Sequence, residues 1–245
     1  MFSKVLSGEI PENTVLSHDL LEGSYLRCGL ASDIVLMDGY PTSYASFKQR
    51  AVRWIRGDFQ IARWINREIL DKRENKKKNP LNLLSKHKIL DNLLRALTPI
   101  FSALTIVDFY IINIFHEINA NEILIVPILS ILSTTLIDIV SRVIYKKEGQ
   151  KYQRTFFPRI NSFFASIIRG ILTIAELPDK AYNSIEAIAK TIYRMNISKK
   201  HLLEWTTSEE ADKLAKTSMI SYYKNMIPNI VLGTLRINLC IFKQK

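Results

Sequence analysis

Between Arg95 and Arg142 the chain carries no lysine or arginine, and this gap limits the fold more than any other feature. Two apolar stretches fill it, at 97–115 and 123–141. Each approaches the ~20 residues an α-helix needs to cross the hydrocarbon core of a bilayer. The connection His116-Glu117-Ile118-Asn119-Ala120-Asn121-Glu122 is acidic. Outside the pair stand Lys86, Lys88 and Arg95 on one side, and Arg142, Lys146, Lys147, Lys151 and Arg154 on the other. Basic flanks stay on the cytoplasmic side. The pattern therefore predicts a transmembrane hairpin at 93–145 with both ends cytoplasmic. A buried hairpin of a soluble bundle is the alternative, kept open by Asp108, Asn113 and Asp138. Asp108 falls inside the first stretch, where a carboxylate must face protein or water rather than lipid.

Hydrophobic residues make up 47% and charged residues 23% of the chain, ordinary averages that conceal the segregation. The formal net charge of +11 fits nucleic acid, an anionic membrane surface or an anionic substrate. Much of it lies beside the apolar block, which favours the membrane. No zinc-finger spacing or RNA-binding motif speaks for nucleic acid. Two distant cysteines, Cys28 and Cys240, fit a reduced cytoplasmic compartment. Met1-Phe2-Ser3-Lys4 does not open a signal peptide. His18, His87, His116 and His201 are too scattered to suggest a metal site.

Around the hairpin the chain divides into amphipathic segments. Ser17 and Asp19 offer cap chemistry for a short helix through Leu20, Leu21, Tyr25 and Leu26. Asp33 to Met37 reads as a strand. Residues 44–70 read as a helix, with Phe47, Ala51, Trp54, Ile55, Ile61, Ala62 and Ile65 on one face. Its other face holds Lys48, Arg50, Arg53, Arg56, Arg63 and Arg67, with Trp54 and Trp64 among them. Such a helix suits a membrane interface, or packs on its own domain. Residues 71–92 read as a basic linker. Residues 146–224 form a cytoplasmic amphipathic region, with an interfacial helix from Phe156 and a new helix from Pro178. Ser208 would cap a further short helix. Residues 225–245 read as the start of another, truncated membrane segment.

Sugar transfer with inversion needs a carboxylate to take the proton of the attacking hydroxyl. It also needs cations for the leaving diphosphate and an aromatic face for the acceptor ring. Bidentate arginine suits a diphosphate. Two clusters offer these types: Ser17 to Gly23, and Arg50 to Gln60. Each residue has a plainer role too. Asp19 caps a helix, Arg50 and Arg53 face solvent, and Trp54 anchors at an interface.

His18-Asp19-Leu20-Leu21-Glu22-Gly23, followed later by Arg50-x-x-Arg53-Trp54, resembles the end of a processive family 2-like transferase domain. Closer still is the resemblance to glycosyltransferase family 84, the transferase part of cyclic β-1,2-glucan synthases. It rests on Pro11 to Gly23, on Arg53-Trp54-x-Arg56-Gly57-Asp58, and on Ser198-Lys199-Lys200-His201-Leu202-Leu203-Glu204-Trp205-Thr206-Thr207. These three segments agree in order over nearly the whole chain.

The resemblance implies Asp19 as catalytic base, Arg50 and Arg53 on the donor diphosphate, and Trp54 against the acceptor glucose. His18 and Glu22 would support the pocket. Arg50 stands where many relatives have glutamine. Glu204 and Trp205 match without a chemical role. The implied fold is mainly α and membrane-bound. A C-terminal remnant of a GT-A-like α/β transferase domain (1–70) precedes the transmembrane hairpin and amphipathic helices. UDP-glucose and a growing β-glucan are the implied partners, with the lipid bilayer and the other parts of a split synthase. The implied place is the bacterial inner membrane, multi-pass, with the transferase part cytoplasmic. The complete enzyme would use Mg²⁺ or Mn²⁺ on an Asp-x-Asp that these 245 residues do not contain. The chain is thus expected to be a fragment, inactive alone. A non-catalytic anchoring module, a relic, or a related family 2-like polysaccharide synthase are the competing expectations.

Overall fold

The computed structural model describes residues 2–16, 19–29, 39–115, 156–204 and 218–231, with scattered single positions elsewhere. The chain is mostly helical. In order come α1 (Phe2–Leu6), α2 (Asp19–Leu26), α3 (Tyr44–Ile61) and a 3-10 turn (Ala62–Ile65). Then follow β1 (Glu68–Leu70), β2 (Lys76–Lys78), α4 (Leu83–Phe115), α5 (Phe156–Ala175) and α6 (Leu177–Tyr193). A π-turn (Arg194–Ser198) and α7 (Met219–Asn225) complete the series. Two compact units result: Met1–Ala96 with Asn183–Asn225, and Leu97–Tyr182 with Met226–Lys245.

In the first unit α3 begins where Ser43, in an extended conformation, caps it: the Ser43 hydroxyl accepts from Ser46 N at 3.3 Å. The helix expected to reach residue 70 stops at Ile61 and tightens into the 3-10 turn. Strand pairing replaces it. β1 and β2 run antiparallel with Ile69 opposite Lys77, and Ile69 is buried. Asp71 makes the turn, its Oδ1 accepting from the backbone N–H of Arg73 and Asn75 at 2.8 Å each. Those bonds, Asn75's foremost, hold the Asp71 carboxyl below its ordinary range. Glu74 takes the left-handed conformation the reversal needs.

The stretch 71–92, read as a basic linker, therefore carries a turn, a strand and the opening of α4. Its lysines are not all solvated. Lys77 Nζ, half-buried, meets Glu9 at 2.5 Å and ties the hairpin to the segment after α1; Lys72 Nζ meets Glu12 at 2.8 Å in an exposed pair. This hairpin is the only sheet among the described residues. One such hairpin does not make the α/β layer expected of a transferase remnant. The strand expected at 33–37 falls mostly outside the described residues; Ile34 and Leu36 are exposed and not in a strand.

The core of this unit gathers Val15, Leu21, Ile61, Trp64, Ile69, Leu81 and Ile89. Trp64, expected at a membrane margin, is 0% exposed. Its Nε1 donates to the Tyr25 hydroxyl at 3.0 Å. Asn79, also buried, donates to the carbonyls of Trp64 (2.5 Å) and Asn66 (2.8 Å) and accepts from Leu81 N (2.9 Å).

In the second unit Phe109 and Leu177 are buried, but many other apolar side chains are not. Ser102 on α4 and Ser166 and Gly170 on α5 are buried. Phe101, Leu104, Phe164, Ile168 and Ile171 on the same helices are exposed. Helices in water bury the large apolar groups instead. Small residues inside and apolar ones outside suit helices surrounded by hydrocarbon. Among the described residues one helix, Leu83–Phe109, is long and apolar enough to cross a membrane. The second arm of the expected hairpin, 123–141, lies largely outside the described residues; its described positions, such as Leu129 and Leu136, are helical. Glu176 separates α5 from α6, with Pro178 in the first turn of α6, where the lost N–H costs nothing. Asn229 bridges this break, accepting from Asp179 N at 2.8 Å and donating to Ala175 O at 3.0 Å.

Asn79→Ala should lower unfolding stability in mild detergent by about 2–3 kcal/mol, because buried backbone groups lose their partners. Lys76→Ala, at an exposed site of the same hairpin, should change it by less than ~0.5 kcal/mol. Equal losses from the two substitutions would contradict Asn79's role.

Candidate functional site

Asp19 and Glu22 both lie in the first turn of α2. A helix N-terminus presents unpaired N–H groups and favours negative charge. Asp19 is exposed and Glu22 half-buried. Leu21, fully buried beneath them, fixes the helix in the core. His18 and Ser17 fall outside the described residues.

Arg50, Arg53 and Trp54 come together on successive turns of α3. The Arg50 guanidinium lies over the Trp54 ring, 4.8 Å from its centroid. Trp54 remains 43% exposed. Arg50 Nε is buried and, among the described residues, has no hydrogen-bond partner; the same holds for Nε of Arg56 and Arg63. Arg63 lies over Trp64 at 4.8 Å, and burial pushes its guanidinium below the ordinary value.

The buried face of α3 is not the expected apolar stripe. It includes Ser46, Arg56, Gly57 and Gln60. Arg56, expected on the polar face, is 9% exposed, and Gln60 is 1% exposed. Both side chains grip the backbone of 201–204. Arg56 donates to Glu204 O at 3.0 Å and His201 O at 3.4 Å. Gln60 Nε2 donates to Leu202 O at 3.0 Å, while its Oε1 accepts from Leu16 N at 2.5 Å. Arg194 closes the other side, donating to His201 O and pairing with the Glu204 carboxylate, both at 2.7 Å.

Burial lowers the Arg56 pKa, and the neighbouring Arg194 lowers it further. The hydrogen bond from Arg194, and then its charge, hold the Glu204 carboxyl below the ordinary range. Lys199 and His201 both adopt positive φ, 50° and 58°. For residues with a side chain this costs about 1–2 kcal/mol each, which the carbonyl clasp offsets. Trp205 lies outside the described residues. Ser208 does too; the described Thr207 hydroxyl accepts from Glu210 N at 3.1 Å.

The two motifs thus stand on different helices, joined by Gln60 and by the core around Leu21, Ile61 and Trp64. Gln60 closes the second cluster of the sequence without a role there, and Arg194 lies outside both clusters. Their signal was indirect: the segment Ser198 to Thr207 had a motif but no chemical role.

No family model matches the chain. It is similar to the cyclic β-(1,2)-glucan synthase NdvB of Rhizobium meliloti (strain 1021), 32% identical over 234 residues. The alignment covers 92% of this chain and 8% of that protein. The three motif-bearing segments thus belong to a chain related to a glucan synthase over nearly its whole length.

Asp58 gives a pH test of the helix carrying these motifs. Burial raises its carboxyl above the ordinary 3.8, and the 2.9 Å bond from Asn92 only partly opposes this. A carboxyl raised in the folded state binds its proton more tightly there than in the unfolded chain. Stability from this group therefore falls as pH rises from 3.8 through the raised value. Asp58→Asn should melt with the parent protein at the acid end of that window and above it at neutral pH. A gap that closes as pH rises would show the opposite shift.

Proposed function

We propose, from its relation to one segment of a cyclic β-(1,2)-glucan synthase, that this chain is the acceptor-side and membrane-anchoring part of a glucosyltransferase. The complete enzyme would polymerise glucose from UDP-glucose into β-1,2-glucan. The observation that carries this is the arrangement on α2 and α3. An exposed Asp19 heads one helix, and arginines flank a partly exposed Trp54 on the other. The alignment over nearly the whole chain supports it.

The acceptor hydroxyl attacks the anomeric carbon of glucose, the bond from that carbon to the diphosphate oxygen breaks, and UDP departs. Asp19 takes the hydroxyl proton. Arg50 and Arg53 hold the diphosphate as negative charge builds on it. Trp54 would offer a face to the acceptor ring, and the resemblance gives His18 and Glu22 a supporting part. Among the described residues no three His, Cys, Asp or Glu side chains gather where they could hold a metal ion. No step here runs through the Mg²⁺ or Mn²⁺ of a complete enzyme.

The second unit is the part proposed to lie in a bilayer. Its outward Phe, Leu and Ile side chains and the helix Leu83–Phe109 support one membrane-embedded helix; the proposal of a hairpin with cytoplasmic ends, in a multi-pass inner-membrane synthase, rests on the basic flanks of the sequence. The chain spans 8% of its relative; the rest of the donor site, beyond Arg50 and Arg53, is proposed on other residues, in cis or in a separate subunit.

In a complete synthase Asp19→Asn should cut turnover by ~10²–10⁴-fold, the usual contribution of a general base, while donor binding persists. Near-normal turnover in a folded variant would reduce Asp19 to a helix cap.

For topology, single cysteines replace Asn121 and Lys77 in a chain free of Cys28 and Cys240. An impermeant thiol reagent on intact cells should label Asn121→Cys and spare Lys77→Cys. The reverse pattern would exclude a hairpin with cytoplasmic ends.

A further inference from the structure

We propose that Gln60 is a positioning residue: it fixes the segment leading into Asp19 against α3 and against the 201–204 segment. This rests on the reading of Asp19 as the base. The Gln60 side chain is 1% exposed and spends both ends of its amide. Its Oε1 accepts from Leu16 N at 2.5 Å, three residues ahead of Asp19. Its Nε2 donates to Leu202 O at 3.0 Å. A backbone N–H needs an acceptor and a backbone carbonyl needs a donor, so the amide has one workable orientation. No carboxylate can replace it, because a carboxylate has no proton for Leu202 O. Segments far apart in sequence thus meet on one buried side chain.

The 201–204 segment gives Gln60 a fixed abutment. Its carbonyls at His201 and Glu204 are held by Arg56, and Arg194 binds the His201 carbonyl and the Glu204 carboxylate. Gripping by backbone carbonyls sets the path of the chain irrespective of side chain. Leu16 then takes its position from α3, the helix that carries Arg50, Arg53 and Trp54. The base and the arginines are thereby held in register. Reacting groups displaced by about 1 Å can lose ~10²-fold in rate.

The test is backbone hydrogen exchange on the full chain in nanodiscs, with Gln60→Met, Gln60→Glu and Arg194→Gln. Met keeps the length and packing but makes neither bond. It should cost peptides spanning Leu16 and peptides spanning 199–204 about tenfold or more in protection. Gln60→Glu keeps the acceptor and loses the donor, so 199–204 should open while Leu16 stays protected. Arg194→Gln should open only 199–204. If Gln60→Met unfolds the first unit, the contrast between the other two variants carries the test. Protection of Leu16 that survives Gln60→Met, or is lost equally in Gln60→Glu, overturns the proposal.

In a complete synthase Gln60→Met should lower kcat by about 10–100-fold with little change in KM for UDP-glucose. Full kcat in Gln60→Met, where Asp19→Asn is inactive, also overturns it. If Asp19→Asn itself retains turnover, the catalytic reading falls, and the exchange pattern alone decides whether Gln60 joins these segments.

Discussion

The indole of Trp64 is fully buried, and the first unit is assembled around it. An aromatic of this size removes ~150–250 Å² from water, worth about 4–6 kcal/mol at ~25 cal/mol per Å². It also brings a polar N–H that must be matched. Tyr25 supplies the acceptor, and that one bond ties α2 to the 3-10 turn after α3. Burial accordingly raises the Tyr25 pKa, with the Trp64 bond opposing. The carbonyl of Trp64 is matched by Asn79 at the end of the hairpin. Helix, hairpin and α2 are thus fastened to a single residue, through both its ring and its backbone.

Around that apolar centre lies a polar layer on α3. Arg56 and Gln60 are four residues apart and share one buried face. Buried polar groups need partners, and a half-matched set costs more than an apolar core. Here the partners are main-chain groups at Leu16, His201, Leu202 and Glu204. Side chains at those positions can vary without breaking the contact. Side-chain variation at Leu202 is therefore cheaper than at Gln60, where both ends of the amide are committed.

Much of the helical framework was legible in the sequence, because it follows from periodicity and caps. The short helix from Asp19, the helix from residue 44, the break before Pro178 and the long apolar helix through 97–115 are all present. Periodicity failed where a tertiary contact outbid it. The pattern of Ile61, Ala62 and Ile65 continues a helix, yet Asn79 and the pairing of Ile69 with Lys77 draw the chain into a hairpin. The run Lys76-Lys77-Lys78 looked like a solvated linker because Glu9, its partner, is far away in sequence. Trp64 and Trp54 looked alike, and only the fold separates a core residue from an exposed one. At the candidate site the residue types were legible, and the motifs named Asp19, Arg50, Arg53 and Trp54. The junction between the motifs was hidden, since a lone glutamine carries no pattern.

The charge of the chain is sorted by the same logic. A net +11 suggested attraction to an anionic surface, but several cations are committed within the first unit. Lys72 and Lys77 pair with Glu12 and Glu9, Lys86 binds the Asn66 carbonyl at 2.9 Å, and Arg194 pairs with Glu204. Arg56 and Arg63 are at least half-buried, with their charged forms weakened by burial. Attraction to headgroups falls off within a Debye length, ~8–10 Å at moderate salt, so only outward-facing cations can supply it. On the hairpin these include Arg73, Lys76 and Lys78, all exposed. They precede α4, the helix long and apolar enough to enter a bilayer. The alternation of the strand thus divides one lysine run in two: Lys77 pairs with Glu9, while Lys76 and Lys78 stay exposed.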